Sequence, residues 1–230
     1  MPLFTNTLLS TRAGALLLAL GLFGLGPARA ETAADATTPL EQALAAYEAG
    51  QLPEAARGFT RLARQGLPLA QYNLAMMHLR AELPRSDARQ ARRLLQQAAQ
   101  GHLVRAELAL AQCHEQGLGG PVDLKAANRW YRLAAEHGSA DAQLALGTAY
   151  YLGRGAPLDM AEAARWYREA ASGGDVGAQY LLASMYEKGL GLPKDLRLAR
   201  YWYDIAARNG DDAAPFKRQE MDGLLRPADT

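Results

Sequence analysis

The side chains of this 230-residue sequence that could do chemistry are few: four histidines and a single cysteine, with serines and carboxylates at recurring places. His78 and His114 are the pair that invites a metal reading. They stand 36 residues apart and could pinch an ion between adjacent helices, but no carboxylate or third histidine lies at ligand spacing beside them. Both occupy the place held by Tyr150 and Tyr186 in the next two units, which is that of an interior packing residue. Cys113 falls where Met77, Ala149 and Met185 recur, so it reads as a small apolar core residue rather than a reactive thiol. Ser172-Gly173-Gly174-Asp175 suggests a phosphate loop or a serine nucleophile, yet neither G-x-S-x-G nor a P-loop pattern is present. It reads as a turn. Asp123, Asp159 and Asp195 recur at helix starts, too far apart to act as paired carboxylates. The pairs Trp130-Tyr131, Trp166-Tyr167 and Trp202-Tyr203 would stack sugars if exposed, but sit within alanine stripes that favour packing. No catalytic residue, metal or cofactor is expected.

What must position these residues is a folded, exported chain. An apolar share of 49% against 21% charged is that of a globular protein. A net charge of +1 offers no basis for the phosphate neutralisation that dominates nucleic-acid affinity. Arg12 precedes an uncharged apolar run over 13–26, followed by Pro27 and Ala28-Arg29-Ala30. At 14 residues the run is short of the roughly 20 that cross a bilayer. It has the form of a secretory signal peptide over 1–30, with cleavage after Ala30 and no stable membrane insertion afterwards. Residues 31–39 are small and polar, as a flexible leader would be.

From Leu40 onward the dominant signal is a period of 36. The Trp, Tyr and Asp columns above share it with Gly117, Gly153 and Gly189, with Gly119, Gly155 and Gly191, and with Gly138, Gly174 and Gly210. Ala142, Leu146, Ala149 and Tyr150 form one helical stripe, helix A of the unit. Ala163, Trp166, Tyr167, Ala170 and Ala171 form a second, helix B. Asp159 with Glu162, and Asp87 with Gln90, have the spacing of capping boxes before helix B.

The sequence A-x-x-x-L-x-x-A-Y, then G-x-G-x-P-x-D, A-x-x-W-Y-x-x-A-A and a closing glycine, resembles the Sel-one-like repeat (SLR) family, relatives of the tetratricopeptide repeat. The resemblance divides the chain into units at 67–102 (degenerate, with Leu94-Leu95 replacing Trp-Tyr), 103–138, 139–174 and 175–210. A shorter tetratricopeptide-like capping repeat at 40–66 precedes them and a capping helix with its tail follows at 211–230. The predicted fold is an all-α, right-handed α-solenoid of two-helix repeats, with about eleven helices.

By resemblance, such a chain is a non-catalytic adaptor or regulator mediating protein–protein interaction in the bacterial envelope. A periplasmic location is expected, with the extracellular space or a eukaryotic secretory lumen as alternatives. A cysteine-rich branch of the family has been associated with penicillin binding and hydrolysis. This sequence lacks that branch's paired cysteines, and a hydrolase acting on cell-wall material or a β-lactam stands as the alternative function. Comparison of the units with one another marks three helix A columns whose character changes: Asn73, Met76 and Arg80; Ala109, Gln112 and Gln116; Ala145, Thr148 and Leu152; Leu181, Ser184 and Lys188. Spacing of i, i+3 and i+7 places each trio on one face. Helix A is expected by resemblance to line the concave side, so this stripe is the candidate surface for a protein partner.

Overall fold

The computed structural model describes residues 38–225; the expected signal peptide and the leader up to residue 37 lie outside the described residues, as do 226–230. Within that span eleven helices follow one another without a strand: α1 (Pro39–Glu48), α2 (Leu52–Arg64), α3 (Pro68–Leu79), α4 (Ala88–Gln100), α5 (Val104–Gln116), α6 (Leu124–Glu136), α7 (Ala140–Leu152), α8 (Met160–Ser172), α9 (Val176–Lys188), α10 (Leu196–Arg208) and α11 (Ala214–Leu225). Each packs on the helix before and the helix after it, so the chain is an α-solenoid of two-helix units closed by α11.

The helix boundaries follow from a small repeated vocabulary. Asp87, Asp123, Asp159 and Asp195 cap α4, α6, α8 and α10, each carboxylate accepting from a backbone N–H of the first turn. The expected capping boxes do not close. Glu162 pairs with Arg165 at 2.8 Å and Gln90 accepts from Arg93 at 2.6 Å, so a cation one turn on takes the side chain that would have reached back. A complete box stands instead at Thr38 and Glu41, which starts α1 at Pro39 within the stretch expected to be leader.

The odd-numbered helices from α5 to α9 end at Gly117, Gly153 and Gly189 in the left-handed region. Two residues on, Gly119, Gly155 and Gly191 meet the preceding unit: a Cβ there would lie 2.2, 2.6 and 2.1 Å from the first residue of α4, α6 and α8. This glycine column therefore permits the units to stack.

Four core clusters run along the rod. Ala55, Phe59, Leu74, Leu95 and Leu110 centre the first, Tyr131, Leu146 and Trp166 the second, Tyr167, Leu182 and Met185 the third, and Tyr203 and Met221 the last. Half-buried aromatics join them. Trp130 packs on the first and second, Tyr150 on the second and third, and Trp202 on the third and fourth.

Candidate protein-binding face

The reactive residues are accounted for by packing and capping. Burial pushes the Cys113 thiol up to about 11 despite nearby Arg92, leaving it protonated and unreactive at neutral pH. The Asp87 backbone N–H donates to His78 Nδ1 at 3.2 Å, and Arg92 meets His114 Nδ1 at 2.6 Å. Burial lowers both histidines below their ordinary range, and for His114 the Arg92 guanidinium adds to it. Among the described residues no group of three or more His, Cys, Asp or Glu is gathered where it could hold a metal. Ser172 ends α8, and Asp175 caps α9 by accepting from Ala178 N–H at 2.7 Å.

Trp166 is 4% exposed and Tyr167 2%, while Trp130 and Trp202 are half-buried and Tyr131 and Tyr203 are buried. The tyrosines in the helix B column send their hydroxyls across to helix A. Tyr131 donates to Glu115 at 2.7 Å, Tyr203 to Glu187 at 2.6 Å, and Tyr167 lies 3.1 Å from the Thr148 hydroxyl. Burial, then the hydrogen bond to the carboxylate, drives the phenols of Tyr131 and Tyr203 well above the usual range, so both remain donors.

Of the three helix A columns only the third is mainly exposed. In the first, Ala109 is 6% exposed while Asn73, Ala145 and Leu181 are half-buried, and Asn73 has its Nδ2 enclosed without a hydrogen-bond partner. The second sits at the boundary, with Gln112, Thr148 and Ser184 half-buried and Thr148 also donating to the Leu144 carbonyl at 3.0 Å. Met76 in this column is 7% exposed and belongs to the core rather than to a surface that a partner could touch. The third column faces solvent at Gln116, Leu152 and Lys188, and Leu181 packs beside it on the third core cluster. Arg80 departs from its column because the short first unit intervenes: its Nη1 donates to Tyr47 Oη at 2.8 Å, and that hydroxyl donates to Glu82 at 3.0 Å. Arg80 thus ties the capping repeat to the next unit.

The Sel1 repeat pattern matches residues 68–102, 104–139, 140–175 and 176–211, which is more than half the chain. This protein belongs to the Sel1 repeat family. Sel1 repeat proteins are in general non-catalytic helical adaptors that mediate protein–protein interaction. The chain is similar to a protective antigen of uropathogenic Escherichia coli strains displaying an SLR fold, at 27% identity and a TM-score of 0.77 over 81% of this chain and 42% of that one. It is also similar to a Sel1 repeat protein from Oxalobacter formigenes, at 34% identity and a TM-score of 0.67 over 74% of this chain and 49% of that one. The chain therefore spans less than half the length of either. Among curated proteins none matches it.

One feature of this Sel1 array escapes a reading by single columns. Glu115 and Tyr131, like Glu187 and Tyr203, are 16 residues apart, and the same offset elsewhere holds Tyr151 with Tyr167 and Leu79 with Leu95. Acid occurs opposite phenol, ring opposite ring, with centroids 6.4 Å apart, and aliphatic opposite aliphatic. The signal was present as a pairing between helices of one unit. Glu187 also accepts from Lys217 of α11 at 3.0 Å. Burial opposes its ionisation, but the Tyr203 hydroxyl and the Lys217 ammonium outweigh burial and hold the carboxyl below its ordinary range.

Proposed function

We propose that this Sel1 repeat protein is an exported, non-catalytic adaptor of the bacterial envelope that binds a protein partner along its helix A face. The observation carrying this reading is the exposed column Gln116, Leu152 and Lys188, one position repeated on three successive units whose interior columns keep to small and apolar residues. Uniform columns stack the units, and a varied, solvent-facing column is free to recognise. Export is supported by the arginine, apolar run and Ala28-x-Ala30 sequence of the first thirty residues. No helix of the described residues is long and apolar enough to cross a membrane.

The test replaces Gln112 and Gln116 with alanine and reverses Lys188→Glu, leaving Arg80 in place because of its bond to Tyr47. Gln116 and Lys188 are exposed, where substitutions rarely move stability by more than about 0.5 kcal/mol, and the half-buried Gln112 should add no more than about 1 kcal/mol. Affinity for a partner captured from the native envelope should fall. Undiminished binding by this variant would place recognition elsewhere, and turnover of a chromogenic β-lactam by the purified protein would reinstate the hydrolase.

A further inference from the structure

The charge of the chain is unevenly placed. Between Arg57 and Arg93 it carries eight arginines against two carboxylates, Glu82 and Asp87, although the net charge of the whole is only +1. Both carboxylates are occupied: Glu82 accepts from Tyr47, and Asp87 accepts from the Arg89 N–H at the start of α4. Among the described residues every ion pair lies at Glu107 or beyond. The arginines of the first units are thus without ionic partners there.

Four of them converge on one groove. It has a volume of about 890 Å³ and is bounded by α2, α3, the loop after α3 and the first turn of α4. Arg57, Arg61 and Arg64 of α2 and Arg85 of the loop contribute exposed guanidinium groups, while Leu74 and Leu83 supply apolar lining. A second hollow, sharing Thr60, Arg64, Leu74 and Gln90, continues it toward Gly101. This surface lies between two helices of the B series, and none of the residues of the candidate helix A stripe lines it.

We infer that this groove docks an acidic, extended segment of a partner protein, with carboxylates at alternate positions flanking apolar side chains. Spacing carries the argument. Arg57 and Arg61 are one helical turn apart, about 6 Å along the axis at 1.5 Å per residue. Alternate residues of an extended chain are about 6.6–6.8 Å apart, so successive same-side carboxylates fall opposite successive guanidiniums. Guanidinium forks match carboxylates bidentately, and the intervening side chains of the segment would meet Leu74 and Leu83. Neutral glycans and single-stranded nucleic acids are commonly held by stacking on aromatic rings. The groove lining offers His78 but no Trp, Tyr or Phe. The inference adds a surface to the adaptor reading and does not depend on the helix A stripe.

Fluorescence anisotropy of a short labelled peptide alternating Asp or Glu with Leu, titrated with the purified protein at low salt, tests it. Saturable binding is expected, weakening as salt screens the exposed guanidiniums. It should fall about tenfold or more in the Arg57→Glu, Arg61→Glu, Arg64→Glu variant, and should be retained by Lys188→Glu on the other face. Circular-dichroism melts establish that the variant folds; should charge reversal unfold it, the Arg57→Gln, Arg61→Gln, Arg64→Gln set replaces it with the same expected loss. The inference is overturned by no saturable binding, by undiminished binding to the groove variants, by loss in Lys188→Glu, or by heparin or single-stranded DNA competing as well as the acidic peptide. Failure here with loss of native partner binding in the Gln112, Gln116 and Lys188 variant would leave the helix A reading standing; the reverse pattern would leave only the groove.

Discussion

At the scale of single residues, the units differ in a way that exposes how each was repaired. Gln71, Gln143 and Gln179 each donate from the side-chain amide to a carbonyl eight residues earlier, at Ala63, Ala135 and Ala171, tying helix A to the preceding helix B. The corresponding residue in the third unit is Glu107, fully buried, whose side chain lacks the amide N–H that the glutamines donate. His137 compensates, with Nδ1 2.9 Å from the carboxylate. Its counterparts are Gly101, Gly173 and Asn209, the last donating to Gln179 at 3.0 Å. Acid is matched with histidine and amide with glycine or asparagine. His137→Gly should therefore cost about 1–3 kcal/mol by leaving a buried acceptor without its donor. Glu107→Gln added to it recreates the Gln143 and Gly173 combination and should return stability to within about 1 kcal/mol of the parent. Denaturant melts of the four proteins of this cycle decide it, and additive losses would mean that the two positions are not coupled.

At the scale of elements, the loops after helix A carry the stacking. Gly191 has φ +69° and a Cβ there would lie 2.1 Å from the Met160 carbonyl, whereas Gly50 has φ +74° with open space around it. Alanine in the left-handed region costs roughly 1–2 kcal/mol at either position. Only Gly191→Ala must also push the loop off the start of α8, so it should destabilise clearly more than Gly50→Ala. Equal shifts in the two melts would show that the close approach carries no energy. These elements were legible in the sequence because three units repeat the same spacing of Asp cap, aromatic pair and glycine, so each helix was in effect read several times. The exceptions occur where repetition fails. Thr38 and Glu41 form a box met once, ahead of the periodic part, and α1 begins earlier than periodicity implied. Arg80 bonds to a first unit shorter than the period, so its column gives no guide to its partner. Spacing along one helix gives the face that each trio shares, but the depth of its residues depends on the two helices packed beside them, which that spacing does not contain. Hence Met76 is buried and Lys188 is not.

At the scale of the whole molecule, a solenoid has no single core to fall back on, and its cohesion is a chain of neighbouring contacts. Trp166 lies near the middle of that chain, buried in the second cluster, with the Arg165 guanidinium 4.1 Å from its ring centroid. Its Nε1 is buried without a hydrogen-bond partner, so what the ring contributes is volume. Trp166→Ala should cost about 3–5 kcal/mol through lost transfer energy and the cavity left behind, whereas Trp166→Phe, which keeps most of the volume and removes the unpaired donor, should cost less than about 1.5 kcal/mol. The location of the damage is as informative as its size. Units on both sides of α8 lean on it, so Trp166→Ala should speed amide hydrogen exchange in α5 and α6 as well as in α9 and α10. Trp202→Ala, between the third and fourth clusters, should open α9 to α11 and leave α3 and α4 protected. Uniform loss of protection in both variants would show that the rod unfolds as one cooperative body, whereas unchanged exchange in Trp166→Ala with weakened partner binding would move the ring from the core to the recognition surface.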